Sequence, residues 1–293
     1  GHPTDPGPEG YRLQAGWDGV RVFGADEQGA WYGVQALIGL LRWDGDALQV
    51  PAVSIRDWPD FATRAMTLTL SRSDDMPFLR TTLRRALPRM CINMIFVGGA
   101  SLGRVAWPSH PEVGTEGAHT AEDIRELAEL ARENYIELVP KVQGLGHTGP
   151  LASVRPELLV DKSAGRAPCF DFTKAETQQF IFDLYQDAID ATRTERYFHV
   201  GFDEASGIQL IAEREGRPAA ELVGEYITLV HDWLAERGLT MIMWSDMLLD
   251  RETFGDTSAA NSGNPSYGAP DTAAALDLIP KSVVQANWYY GGA

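Results

Sequence analysis

The chain has 293 residues, 44% hydrophobic and 23% charged, ordinary values for a globular protein long enough to bury a sizeable core. A formal net charge of −16 and a pI near 4.7 argue against nucleic acid or an anionic membrane as partner, because neither favours an acidic surface. The acidity is dispersed, no apolar stretch can span a bilayer, and the two cysteines, Cys91 and Cys169, make neither a disulfide framework nor a metal cluster.

Residues 1–10 (GHPTDPGPEG) are rich in Pro and Gly and read as loop. The first residue is Gly1 and not Met, so the numbering is expected to begin inside a longer protein, and no compartment is assigned. Residues 11–15 (YRLQA) and 19–23 (GVRVF) alternate around Trp17-Asp18-Gly19, the pattern of a hairpin. Residues 29–41 (GAWYGVQALIGLL) space their apolar side chains as a helix does. Two strands and a helix are too little for an independent core, so residues 1–50 are expected to be the C-terminal part of a small α+β domain.

Residues 51–61 (PAVSIRDWPDF) read as a linker or strand leading into a different pattern. From residue 64 onward, strand-like runs at 64–71, 91–97, 137–142, 197–201, 239–244 and 283–288 alternate with helical patterns at 76–90, 121–134, 174–193, 219–237 and 272–279. Thr120-Ala121-Glu122-Asp123 supplies a cap and an acidic first turn for the second helix. Strand-then-helix alternation implies a parallel sheet covered by helices, and the long spacings fit a (β/α)8 TIM barrel over residues 51–293. An open doubly wound sheet would place a Gly-rich phosphate loop after the first strand, where LTLSRSDDM stands instead. Only six βα units are present, so the chain is expected to be incomplete at both ends.

The strand ends carry the chemistry. The apolar run Tyr197-Phe198-His199-Val200-Gly201-Phe202 stops at Asp203-Glu204. In a regular strand these two carboxylates would face opposite sides, so they converge only if the backbone bends, with Gly201 easing the bend. An isolated Asp-Glu pair is more often a solvated strand terminus. Here, however, the other strand ends add Ser71-Arg72-Ser73-Asp74, Gln143-Gly144-Leu145-Gly146-His147, Trp244-Ser245-Asp246 and Asn287-Trp288-Tyr289-Tyr290. Carboxyl groups for proton transfer, polar clamps for hydroxyls and aromatic walls for sugar faces are what a glycosidase needs. No His-x-His or His-Glu-x-x-His spacing points to a metal, and no cofactor is implied.

These segments resemble glycoside hydrolase family 20, the β-N-acetylhexosaminidases. His199-Val200-Gly201-Phe202-Asp203-Glu204 resembles the family's His-x-Gly-Gly-Asp-Glu, Arg64 to Arg72 (RAMTLTLSR) its Arg-Gly-x-x-Leu-Asp-x-x-Arg, and Pro140 to His147 (PKVQGLGH) its Pro-Glu-x-x-x-x-Gly-His. Trp31 to Leu37 (WYGVQAL) resembles the last helix of the non-catalytic domain that precedes the barrel. The chain departs from the pattern at Phe202, at Thr69 for Asp, at Lys141 for Glu, and after the second strand, where Gly98-Gly99-Ala100-Ser101 offers no acidic group. The resemblance implies a substrate-assisted retaining mechanism in which the 2-acetamido oxygen attacks the anomeric carbon to give an oxazolinium intermediate. It makes Glu204 the general acid and then base, and Asp203 the acceptor of the acetamido N–H. It puts Arg72, His147, Trp244, Asp246, Trp288 and Tyr290 around a glycan ending in N-acetylhexosamine. Two alternatives stand beside it: a two-carboxylate glycosidase with Asp246 as the second acid, and a catalytically silent carbohydrate-binding barrel, which Phe202, Thr69 and Lys141 favour.

Overall fold

A computed structural model describes residues 6–160, 168–255, 260–264 and 271–288. The chain divides into two compact units. The first runs to Met66 and takes in Pro77–Ile95 and Glu129–Glu137; the second comprises Thr67–Met76, Phe96–Ala128 and the chain from Leu138 onward.

The chain begins with the expected hairpin, β1 (Tyr11–Gly16) and β2 (Gly19–Gly24), paired from Tyr11 against Gly24 to Gly16 against Gly19. Gly19, at φ +115°, takes a turn conformation that side chains resist. Helix α1 (Glu27–Leu40) starts where the Asp26 carboxylate accepts the Gly29 N–H at 2.7 Å. Two short strands not anticipated from sequence, β3 (Arg42–Asp44) and β4 (Ala47–Gln49), form a hairpin around Asp44-Gly45, with Gly45 at φ +60°. Strand β5 (Val53–Asp57) lies antiparallel on the free side of β1, giving the order β2-β1-β5. Tyr11, Leu13 and Tyr32 form the core between this sheet and α1. Arg64 closes the unit: its backbone N–H and Nε donate to Asn93 and to the Cys91 carbonyl at 2.9 and 2.5 Å, and its guanidinium meets Glu9 and the Tyr32 hydroxyl. The first arginine of the family-like strand pattern is therefore a structural clasp.

Six strands follow the predicted sequence of elements, each shorter than its apolar run: β6 (Ala65–Thr69), β7 (Met94–Gly98), then β10 (Glu137–Pro140), β11 (Tyr197–His199), β12 (Thr240–Trp244) and β13 (Val284–Ala286). The intervening β8 (Val105–Ala106) and β9 (His119–Thr120) make a small parallel pair of their own. β6, β7 and β10 lie in chain order in one sheet, and β11, β12 and β13 in a second, parallel one. A parallel bridge between Lys141 and His199 carries the order from the first sheet to the second. Spatial order equal to chain order is what successive βα units produce.

Helices separate the strands: α2 (Met76–Thr81), α3 (Ala121–Glu133), α4 (Leu151–Val154), α5 (Ala175–Thr192), α6 (Ile208–Glu215), α7 (Ala219–Ala235) and α8 (Arg251–Phe254). The Thr120–Asp123 cap forms as expected: the Asp123 carboxylate accepts the Thr120 N–H at 2.8 Å, and Thr120 Oγ1 accepts the Asp123 N–H at 3.1 Å. α7 buries Leu222, Val223, Tyr226, Ile227, Val230 and Leu234, the stripe that helical spacing predicts. Two predicted helices differ. The pattern over 76–90 is α-helical only to Thr81; a wide turn over Thr82–Ala86 and a tight one over Pro88–Met90 follow, because Pro88 has no N–H to continue the ladder. Residues 272–279 form a 3₁₀ turn, Ala273–Asp277, which buries Ala275 and leaves Leu278 half exposed. Among the described residues no helix is long and apolar enough to cross a membrane.

Candidate active site

Beyond β11 the backbone leaves strand geometry abruptly. Gly201, Phe202 and Glu204 have φ of +71°, +74° and +49°, and His147, on the neighbouring loop, has +54°. Left-handed backbone at a bulky residue costs on the order of 1–3 kcal/mol and persists only where surroundings enforce it. Here they do. A Cβ on Gly201 would sit 1.8 Å from Gln143 Oε1, so only glycine fits. Phe202 is fully buried and stacks on Tyr226 with ring centroids 5.3 Å apart. The Glu204 N–H donates to Asp246 Oδ2 at 3.1 Å.

The bend does what the sequence requires of it. His147 Nε2 lies 3.1 Å from Asp203 Oδ2 and 3.4 Å from Glu204 Oε2, so one imidazole joins both carboxyl groups. Gln143 donates from Nε2 to the other Asp203 oxygen at 3.0 Å and to the Ala100 carbonyl at 3.3 Å. Burial would raise the Asp203 pKa, but the hydrogen bonds from His147 and Gln143 hold it below the ordinary carboxylate value. The same Asp203 bond raises the His147 pKa against the opposing effect of burial. Both shifts favour the ion pair, the carboxylate form of Asp203 and the imidazolium form of His147.

These groups open on a cavity of about 370 Å³. His147, Asp203, Glu204, Trp244 and Trp288 line it, together with Lys141, Thr67, Thr69 and Ala100. Five of the expected site residues thus meet in one place. Two others do not. Arg72 is exposed, lies 3.7 Å from Asp74, rests against Gly117, and is absent from the cavity wall. Asp246, expected to face the sugar hydroxyls, is 1% exposed and lies behind Glu204, where it accepts from the Glu204 N–H and from Asn261 Nδ2 at 2.8 Å. Burial pushes its pKa up to about 7, and its Oδ1 has no partner among the described residues. Tyr290 lies outside the described residues.

Two further residues of the family-like motif point into the core. Phe202, bulky where the family pattern has glycine, turns away from the cavity into the core and does not obstruct it. His199 is a core histidine: its Nδ1 accepts the Gly201 N–H at 3.0 Å, and burial, reinforced by the Lys141 charge, lowers its pKa to about 3. Gln143 and Asn261 had no role assigned from sequence. Gln143 sits on the loop after the third barrel-like strand, a position that signals function; Asn261 comes from a Ser/Asn/Gly loop with no such signal. Among the described residues no group of three or more His, Cys, Asp or Glu side chains is arranged to hold a metal.

Comparison with known proteins agrees with this geometry. The family description "Glycosyl hydrolase family 20, catalytic domain" matches residues 85–267, and "Glycosyl hydrolase family 20, domain 2" matches residues 2–58. The chain belongs to glycoside hydrolase family 20. It is 23% identical over 259 residues to the lacto-N-biosidase of Bifidobacterium bifidum, covering 83% of this chain and 23% of that protein. To the β-hexosaminidase of Porphyromonas gingivalis it is 22% identical over 278 residues, covering 82% and 36%. Among solved structures, a family 20 β-N-acetylglucosaminidase superposes with TM-score 0.67 at 27% identity, over 81% of this chain and 54% of that one. The Vibrio harveyi exo-β-N-acetylglucosaminidase bound to N-acetylglucosamine superposes with TM-score 0.73 at 17% identity, over 96% and 46%. This family 20 chain therefore spans about a quarter to a third of those two curated relatives.

Proposed function

We propose that the protein containing this chain is a glycoside hydrolase that removes terminal β-linked N-acetylhexosamine with retention, through an oxazolinium intermediate formed by the substrate's own acetamido group. The arrangement of His147 between Asp203 and Glu204, at a cavity walled by Trp244 and Trp288, carries this assignment. Substrate-assisted catalysis needs one carboxylate kept ionised beside the acetamido N–H and one carboxyl that donates a proton and later withdraws one from water. Asp203, held as an anion by His147 and Gln143, suits the first role; it orients the acetamido group and stabilises the positive charge that develops on it. Glu204, with a side chain 30% exposed and facing the cavity, suits the second. The indoles of Trp244 and Trp288 offer apolar faces for the acetamido methyl group and exclude water from the intermediate.

The two-carboxylate alternative finds no support, because Asp246 would have to be its second acid and does not reach the cavity. The architecture proposed with this function is an α+β segment followed by a (β/α)8 barrel, supported by the six strands in chain order and by the superpositions. The test uses the longest natural form of the protein and follows 4-nitrophenol release from its β-N-acetylglucosaminide, β-N-acetylgalactosaminide and β-glucoside. Turnover of the acetamido sugars alone is expected. Equal turnover of the plain glucoside, or silence on all three, overturns the proposal.

A further inference from the structure

Lys141 has no use in the mechanism above. It lines the cavity with Asp203 and Glu204, and burial pulls its pKa down while Asp203 works in the opposite direction. Its ammonium group lies 5.8 Å from the centre of the Trp244 ring, a cation–π contact, and makes no hydrogen bond or ion pair among the described residues. The other lining residues Thr67, Thr69 and Ala100 bring no charge. Charged groups withdrawn from water are normally paired, so an ammonium left without an acceptor at a cavity wall points to an acceptor on what the cavity receives.

Charge accounting leads to the same place. In the mechanism proposed above Glu204 enters as the proton donor and so brings no charge, while Asp203 is paired with His147 at 3.1 Å. Asp246, behind Glu204, is mostly protonated below neutral pH. One positive charge, that of Lys141, is left uncompensated in the cavity of a chain whose net charge is −16. A neutral sugar leaves that charge unanswered. An anionic one removes the imbalance, and it binds in a partly dehydrated site, where a charge-assisted hydrogen bond is strong.

We propose that Lys141 is a specificity-determining residue that binds an anionic ester, sulfate or phosphate, on a ring hydroxyl of the terminal N-acetylhexosamine. The proposal rests on the N-acetylhexosaminidase activity proposed above and adds the substrate class to it. The ester oxygens accept from Nζ, while the sugar's apolar face lies on Trp244.

The experiment compares kcat/KM for 4-nitrophenyl N-acetyl-β-glucosaminide with kcat/KM for its 3-, 4- and 6-O-sulfates and its 6-phosphate. It uses the longest natural form of the protein, as wild type, Lys141→Met and Lys141→Arg. For at least one ester the wild type is expected to show a preference of about tenfold or more over the neutral parent, weakening as salt screens the charge. The preference should vanish in Lys141→Met and partly return in Lys141→Arg. Which ester is chosen separates sulfate from phosphate and locates the hydroxyl. A wild type that prefers the neutral parent, or a preference that survives Lys141→Met, overturns the proposal. Calorimetric binding of free N-acetylglucosamine and its 3-, 4- and 6-O-sulfates and 6-phosphate to the wild type and Lys141→Met separates the two assignments. If no glycoside is turned over, the activity fails, while tighter wild-type binding of one of the esters, lost in the variant, still upholds Lys141. Equal binding of the neutral sugar and every ester sinks it.

Discussion

Two stretches of the cavity wall are made by different means. The end of β12 and the chain segments after β10 and β11 supply Trp244, Lys141, His147, Asp203 and Glu204, from backbone that includes left-handed turns at His147, Phe202 and Glu204. Thr67 and Thr69, by contrast, sit in the regular strand β6, and Ala100 just beyond β7. The first stretch spends conformational strain to bring charges together; the second is relaxed and neutral. A regular strand sends neighbouring side chains to opposite faces, so two adjacent carboxylates can share one imidazole only where regularity is abandoned. Stability and chemistry are thus drawn from different stretches of the cavity wall.

The largest expected effect comes from breaking the charged stretch directly. Glu204→Gln and Asp203→Asn in the full-length protein are each expected to lower kcat by two to four orders of magnitude on 4-nitrophenyl N-acetyl-β-glucosaminide, the scale of lost general acid–base or electrostatic catalysis. Near-wild-type turnover in either variant would remove these residues from the mechanism.

Next comes the support behind that stretch. The folded state keeps Asp246 protonated up to about pH 7, whereas an unfolded Asp has an ordinary value of 3.8. Its contribution to stability is therefore complete below pH 4 and is lost as pH rises through 7. The loss is on the order of 4 kcal/mol for a shift of about three pH units. Denaturant titrations from pH 4 to 7 should show wild-type stability falling relative to Asp246→Asn, which has no proton to release. A difference independent of pH would mean that the buried carboxyl is ionised throughout.

Packing beneath the bend is sharpened by Phe202→Ala, which removes the ring stacked on Tyr226. A loss of about 3 kcal/mol in unfolding free energy is expected from equilibrium denaturation, because the site is fully buried. A loss below about 1 kcal/mol would show that backbone strain relieved at this position offsets the cavity. The smallest effect is expected on the rim: Arg72→Ala should change kcat/KM by less than about threefold, since the guanidinium lies on Gly117 and near Asp74 and not on the cavity wall. A tenfold loss would place Arg72 on the substrate after all.

Much of this was legible in the residue order, for definable reasons. The hairpin around Trp17-Asp18-Gly19, the Thr120–Asp123 cap and the six apolar runs are local patterns, and local patterns survive folding. The run of helical spacing over 76–90 misled because apolar periodicity outlasts the hydrogen-bond ladder that Pro88 interrupts. Asp246 misled in another way. Its place two residues after Trp244 suggested the cavity, but the 3₁₀ turn Asp246–Leu248 carries the carboxyl behind Glu204. Phe202 favoured a silent barrel only while its direction, into the core and away from the cavity, was unknown.

By itself the sequence determined the succession of strands and helices, the family, and the need for a bend after Gly201, because periodicity, capping and adjacent carboxylates are properties of neighbours in the chain. Tertiary structure alone decided which way each side chain faces once the backbone leaves a regular element. It turned Phe202 inward, set His147 between Asp203 and Glu204, drew Asp246 and Asn261 behind them, and left the Lys141 ammonium at the cavity wall with no hydrogen-bond acceptor among the described residues. Those choices depend on contacts between residues tens of positions apart, and a left-handed residue is stable only when such contacts hold it.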